Sequence, residues 1–214
     1  MLITDIIQEK TQKTLSSLTK LTEGETGHSN DYIFRGILDD QEVFIKVILG
    51  RLSADTPDVG AMQNEYEKGL IVSSECPYFL KPLHYIRFSK CEILITPFIQ
   101  NIRTVHEIIH FSSSAPEFLK KQISETALYL KNKCLLHRDL NVNNMVIGNI
   151  KNKETQFFLI DCAFMAFLDS EGNIIPTPIE SCIQNRPRNL SDEEKTFCHI
   201  LEQLDAKIAT EIQA

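Results

Sequence analysis

His137-Arg138-Asp139-Leu140-Asn141-Val142-Asn143-Asn144 is the stretch on which the reading of this chain turns. It completes an H-R-D-L-x-x-x-N pattern, and the apolar run Phe157-Phe158-Leu159-Ile160 then ends on a second carboxylate, Asp161, 22 positions after Asp139. A loop carboxylate can take a proton from a hydroxyl, and carboxylate and carboxamide oxygens are the donors that a hard divalent cation accepts. A His-Arg-Asp triplet alone would say little. The full pattern with a spaced partner carboxylate says much more.

Working outward, strands come early and helices late. Residues 1–20 are expected to form an amphipathic leading helix, with Leu2, Ile3, Ile6, Ile7, Leu15 and Leu18 at roughly helical spacing. Asp31 to Leu38 and Gln41 to Leu49 read as a hairpin across Asp39-Asp40, and Tyr85–Phe88 pairs with Glu92–Ile95 across Ser89-Lys90. A helix over 61–72 lies between the two pairs. Helices over 105–111 and 116–133 follow, and a last one starts from Ser191, whose Ser191-Asp192-Glu193-Glu194 resembles a capped first turn.

Size and composition set limits. The chain has 214 residues, 43 % hydrophobic and 24 % charged, which suits one good core or two small lobes. A net charge of −7 argues against nucleic acid as a partner. No apolar run approaches the roughly 20 residues of a transmembrane helix, and the N-terminus does not read as a secretory signal. Six cysteines are scattered singly with no C-x-x-C pair, which fits reduced thiols; the cytoplasm is the expected compartment.

Over about residues 20–165 the order of motifs resembles the protein-kinase-like superfamily, with features shared by protein kinases, aminoglycoside- and choline-type kinases, and lipopolysaccharide core kinases. The resemblance implies an α+β, bilobal fold in a single domain, residues 1–214: after the leading helix, a small antiparallel-sheet N-lobe over 21–98 and a compact, shortened helical C-lobe over 99–214. It implies an ATP- and Mg²⁺-dependent phosphotransferase acting on an alcohol, in a protein, a glycan or a small molecule. Asp139 is then the catalytic base, and Asn144 and Asp161 are the metal ligands. In Val43-Phe44-Ile45-Lys46-Val47, Lys46 holds the place of the strand lysine that meets the α- and β-phosphates. The following helix should supply a Glu to pair with it. Glu65 and Glu67 both qualify; Glu67 is preferred because Leu70 and Ile71 fall three and four positions later. Gly24, Gly27 and Ser29 look like the phosphate-gripping Gly-x-Ser-Asn turn of the small-molecule kinases, and Thr96 to Gln100 sits where the adenine-binding hinge belongs.

Two departures separate the chain from protein serine/threonine kinases. Asn141 stands where a Lys usually follows the catalytic Asp by two positions, and Asp161-Cys162-Ala163 replaces Asp-Phe-Gly. Only 53 residues follow Asp161. These features raise an alternative reading as a pseudokinase, a binding module without turnover. A remote alternative is a zinc peptidase, because His106-Glu107-Ile108-Ile109-His110 is a literal H-E-x-x-H. Within the kinase-like reading, His137 is expected to be a structural hydrogen-bonding residue and Arg138 to brace the loop.

Overall fold

Alternation along two strands explains most of the architecture. In the computed structural model, which describes residues 2–22, 31–49, 60–89, 91–151, 153–177 and 186–212, Val43, Ile45 and Val47 of one strand and Ile93 and Ile95 of its neighbour are fully buried on one sheet face. Ile6 and Ile7 of the first helix join them in a single apolar cluster. Phe44, Lys46, Leu94 and Thr96 alternate with these residues and turn to the other face, where a cavity opens.

The fold is mixed α+β. An antiparallel five-stranded sheet comprises β1 (Leu15–Thr22), β2 (Asp31–Leu38), β3 (Gln41–Leu49), β4 (His84–Phe88) and β5 (Cys91–Pro97), in the order β1-β2-β3-β5-β4. The β2–β3 hairpin turns at Asp39 and Asp40, both with positive φ (45° and 65°), a conformation that Asp tolerates better than most residues. Helix α1 (Ile3–Thr11) packs on the apolar face of the sheet, and α2 (Ala61–Glu75) packs on the cavity side, where Met62 meets Ile48 and Leu94.

The second half begins with a further strand. Gln100–Thr104 forms β6, so the segment after Pro97 does not pass directly into helix. Then come α3 (Val105–Phe111), α4 (Glu117–Asn132), β7 (Leu135–Leu136), β8 (Met145–Asn149), β9 (Gln156–Leu159), β10 (Ala166–Phe167) and α5 (Leu190–Ile212). Strands β6, β8 and β9 make a three-stranded sheet, and β7 pairs with β10. Leu119 and Ile123 of α4, Phe157 and Leu159 of β9, and Ile200 and Leu204 of α5 share the second core. At Gly148 the β6 backbone comes so close that a methyl would lie 2.4 Å from Ile99 Cγ2 and 2.7 Å from the Gln100 carbonyl oxygen. Among the described residues, no helix is long and apolar enough to cross a membrane.

The leading helix is shorter than its leucine spacing suggests. It stops at Thr11, where Gln12 adopts a left-handed conformation (φ 57°) and donates its N–H to the Gln8 carbonyl. Leu15 and Leu18 belong to strand β1, whose register with β2 shifts between Leu15 and Ser17 and again between Lys20 and Thr22. A bulge adds one residue to a strand, so a three-residue spacing that mimics a helix can keep two leucines on one sheet face. Leu15 and Leu18 accordingly both pack on the α1 cluster. Helix α5 is capped two residues earlier than Ser191: the Asn189 side-chain oxygen accepts the Asp192 N–H at 3.0 Å.

Candidate active site

The loop from His137 to Asn144 is tied down by its own asparagines. The Asn141 side-chain oxygen accepts the N–H groups of Asn143 (2.9 Å) and Asn144 (3.2 Å), while its Nδ2 donates to the Asp139 carbonyl at 2.9 Å. Asn144 Nδ2 donates to that carbonyl (2.9 Å) and to Asp139 Oδ2 (3.1 Å), which leaves the Asn144 side-chain oxygen for another role. A backbone bond from Ile160 N–H to the Asn144 carbonyl, 2.9 Å, docks the end of β9 against the loop. Asp161 follows directly. It has a left-handed backbone (φ 61°) and leads into a 3₁₀ turn over Cys162–Phe164.

Beneath the loop lies a buried support. Glu193, in the first turn of α5, accepts the backbone N–H of His137 at 3.0 Å with one oxygen and that of Arg138 with the other. It is 2 % exposed. Burial raises its pKa above the ordinary carboxyl value, the two N–H groups and the Arg138 charge opposing that shift. Arg138, fully buried with φ 67°, also donates from Nε to the Pro187 carbonyl at 3.2 Å. This matches its expected bracing role.

His137 is fully buried, and its Nε2 lies 3.0 Å from the Ile160 carbonyl, which fixes the tautomer with the proton on Nε2. Burial lowers its proton affinity below the ordinary imidazole value of 6.5 more than the nearby Asp161 and Asp139 carboxylates raise it. The unfolded chain therefore takes up the proton first on acidification. Stability owed to the neutral imidazole is complete above about pH 6.5 and lost as pH falls toward the folded-state value. Glu193 acts in the opposite sense, favouring the folded state as pH drops through its raised value. Urea titrations from pH 7 to 5 should show a steeper loss of stability in the natural protein than in His137→Gln, which keeps a donor for Ile160. Equal slopes would contradict the assignment.

A cavity of about 400 Å³ lies between the five-stranded sheet and this loop. Its lining includes Lys46 from β3, Glu65 from α2, Asn144 from the loop and Asp161 from the end of β9. Its remaining walls are largely apolar, among them Ile33, Leu94, Phe98, Ile99 and Leu159. Lys46 Nζ stands 4.0 Å from Glu65 Oε2, with the two side chains 26 % and 16 % exposed. Asp161 Oδ1 is buried and has no hydrogen-bond partner among the described residues.

Glu65, not Glu67, is therefore the acid that faces Lys46. Glu67 is exposed and accepts from Gln63 Nε2 at 2.8 Å, one turn back on the outer face. The packed stripe of α2 runs through Ala61, Met62, Gly69 and Val72, on whose side Glu65 lies, whereas Ile71 is largely exposed. Gly24, Gly27 and Ser29 lie outside the described residues. At the expected hinge, the Phe98 N–H already donates to the Glu42 carbonyl at 3.0 Å and Pro97 has no N–H to offer.

Three residues at the site escaped the sequence reading. Asn64, buried on α2, donates to the carbonyls of Ala163 (2.8 Å) and Met165 (3.1 Å), which fastens the helix carrying Glu65 to the turn after Asp161. Glu193 is the second, read from sequence as part of a helix cap. The third is Arg186, which donates from Nη1 to Asp139 Oδ1 and stacks its guanidinium 4.5 Å from the centre of the Phe164 ring. The H-E-x-x-H segment, in contrast, serves α3. Glu107 closes a reciprocal cap with Thr104, at 2.7 and 3.0 Å, and the rings of His106 and His110 pack together with centroids 4.5 Å apart. Among the described residues, no group of three His, Cys, Asp or Glu side chains is placed to hold a metal. No family model matches this chain, and comparison with curated proteins yields no significant match.

Proposed function

We propose that the chain is a phosphotransferase with a compact, bilobal kinase-like fold, using ATP and Mg²⁺ to phosphorylate an alcohol. The observation that carries this reading is that Lys46, Glu65, Asn144 and Asp161 line one cavity, with Lys46 facing Glu65 and Asp139 bonded to Asn144. A base would stack among the apolar walls, and Lys46, oriented by Glu65, would meet the α- and β-phosphates. Two protein oxygens suit Mg²⁺, which takes one or two carboxylates together with phosphates and waters. Asp161 Oδ1 fits that need, since a buried carboxylate oxygen without a partner is costly and a cation would satisfy it. The Asn144 oxygen, left over by the bonds of its Nδ2, would be the other ligand. When bound, the ion would offset the charge of the phosphates.

Asp139 would orient the acceptor hydroxyl and receive its proton. The acceptor oxygen bonds to the γ-phosphorus as the bond from that phosphorus to the bridging oxygen breaks, and ADP leaves. Titration of Mg·ATP into variants of α2 tests the lysine pairing. Glu65→Gln is expected to weaken binding about tenfold, the worth of one charge-assisted contact. Glu67→Gln should leave it within about twofold of the natural protein, the scale of a surface change. The reverse ranking, or no effect of either, would remove Glu65 from the site.

A further inference from the structure

Both oxygens of the Asp139 carboxylate are already engaged: Oδ2 by Asn144 and Oδ1 by Arg186. A hydroxyl that is to reach Asp139 must displace one of them. Asn144 is fixed by a second bond to the Asp139 carbonyl and by its backbone tie to Ile160. Arg186 is the replaceable partner, with a side chain 37 % exposed and its guanidinium carbon 4.5 Å from the centre of the Phe164 ring. Moving a guanidinium off a carboxylate that is only 20 % exposed is unfavourable unless another oxyanion receives it. A guanidinium presents five donors in a fork, so it can pair with a second anion while it stays over the ring. The residue that could have offered a local cation, two positions after Asp139, is Asn141, whose side chain is turned back into the loop.

We infer that Arg186 recognises the acceptor, and that the alcohol phosphorylated at this site carries an oxyanion, a phosphate or carboxylate, close to its reacting hydroxyl. The anion takes the guanidinium from Asp139 and thereby frees Oδ1 for the hydroxyl proton. This inference rests on the phosphotransferase reading above. It adds a specificity element that would make neutral alcohols poor acceptors, because they leave the Arg186–Asp139 pair intact.

Inorganic phosphate can stand in for the acceptor's anion. The protein is first saturated with Mg²⁺ and a non-hydrolysable ATP analogue, whose binding is measured, and phosphate is then titrated while the ¹⁵N-labelled arginine side chains are followed by NMR. Saturable phosphate binding that shifts the Arg186 signal is expected, weakened about tenfold in Arg186→Ala and partly kept in Arg186→Lys. Melting curves of both variants check their folding, and the lysine variant serves alone if the alanine variant does not fold. Nucleotide binding without phosphate binding, or phosphate binding indifferent to both variants, overturns the inference and leaves the phosphotransferase reading standing. An Arg186 signal that responds fully to the nucleotide, with phosphate then excluded, overturns it too, because the guanidinium would belong to the triphosphate. Phosphate binding at Arg186 in a protein that binds no nucleotide removes the phosphotransferase reading and the acceptor role together.

Discussion

Replacing Asp139 by Asn is expected to slow phosphoryl transfer from ATP by about 10²–10⁴-fold, the range lost with a positioned general base. The carboxamide is nearly isosteric, and its one oxygen can still accept from Asn144 or Arg186, so the loop keeps its shape. What disappears is the capacity to hold the acceptor's proton. Affinity for Mg·ATP should stay within about threefold, since Asp139 is not among the residues lining the cavity. Rapid-quench measurement of transfer beside a nucleotide titration separates the two effects. Full activity in this variant would exclude Asp139 from the chemistry. An equal loss of binding would mean that the side chain supports the cavity instead.

The second large effect is expected at Glu193, far from the cavity in sequence and function. Its carboxylate satisfies two backbone N–H groups, of His137 and Arg138, inside the protein. Glu193→Leu strands both donors, at about 1–3 kcal/mol each, so a loss of about 2–5 kcal/mol is expected from urea denaturation. Repacking by the leucine offsets only part of this, because Arg138 loses its buried counter-charge as well. Glu193→Gln keeps one acceptor oxygen and should recover about half of the loss. A change below about 0.5 kcal/mol in Glu193→Leu would show that the loop from His137 to Asn144 does not depend on α5.

The two predictions differ in how visible their residues are in sequence. Asp139, Asn144 and Asp161 lie on one loop and the end of one strand, and the local bonds of Asn141 and Asn144 set much of their geometry. Such short-range constraints leave a readable pattern. Lys46 was legible through the resemblance to the strand lysine of kinases, and period-two alternation puts it on the face opposite Val43, Ile45 and Val47, which fill the core. Its acid partner was harder. Choosing between Glu65 and Glu67 needs the phase of α2, and the packed stripe is marked by small residues, Ala61 and Gly69, more than by the bulky Leu70 and Ile71.

Arg186, Asn64 and Glu193 act across 47, 99 and about 55 positions of chain, and no local pattern announces them. An acid in the first turn of a helix ordinarily reads as a favourable partner of the helix dipole. Only the fold turns Glu193 inward. The leucines of β1 were misleading for a related reason: bulges place a helix-like spacing on a strand, and the bulges are set by pairing with β2.

The coupling between nucleotide and divalent cation tests the central claim most directly. Calorimetric titration of ATP should give binding that Mg²⁺ strengthens in the natural protein, with that gain abolished in Asp161→Asn, whose side chain lines the cavity beside Asn144 and Lys46. Binding that ignores Mg²⁺, or no binding of ATP at all, would contradict the account.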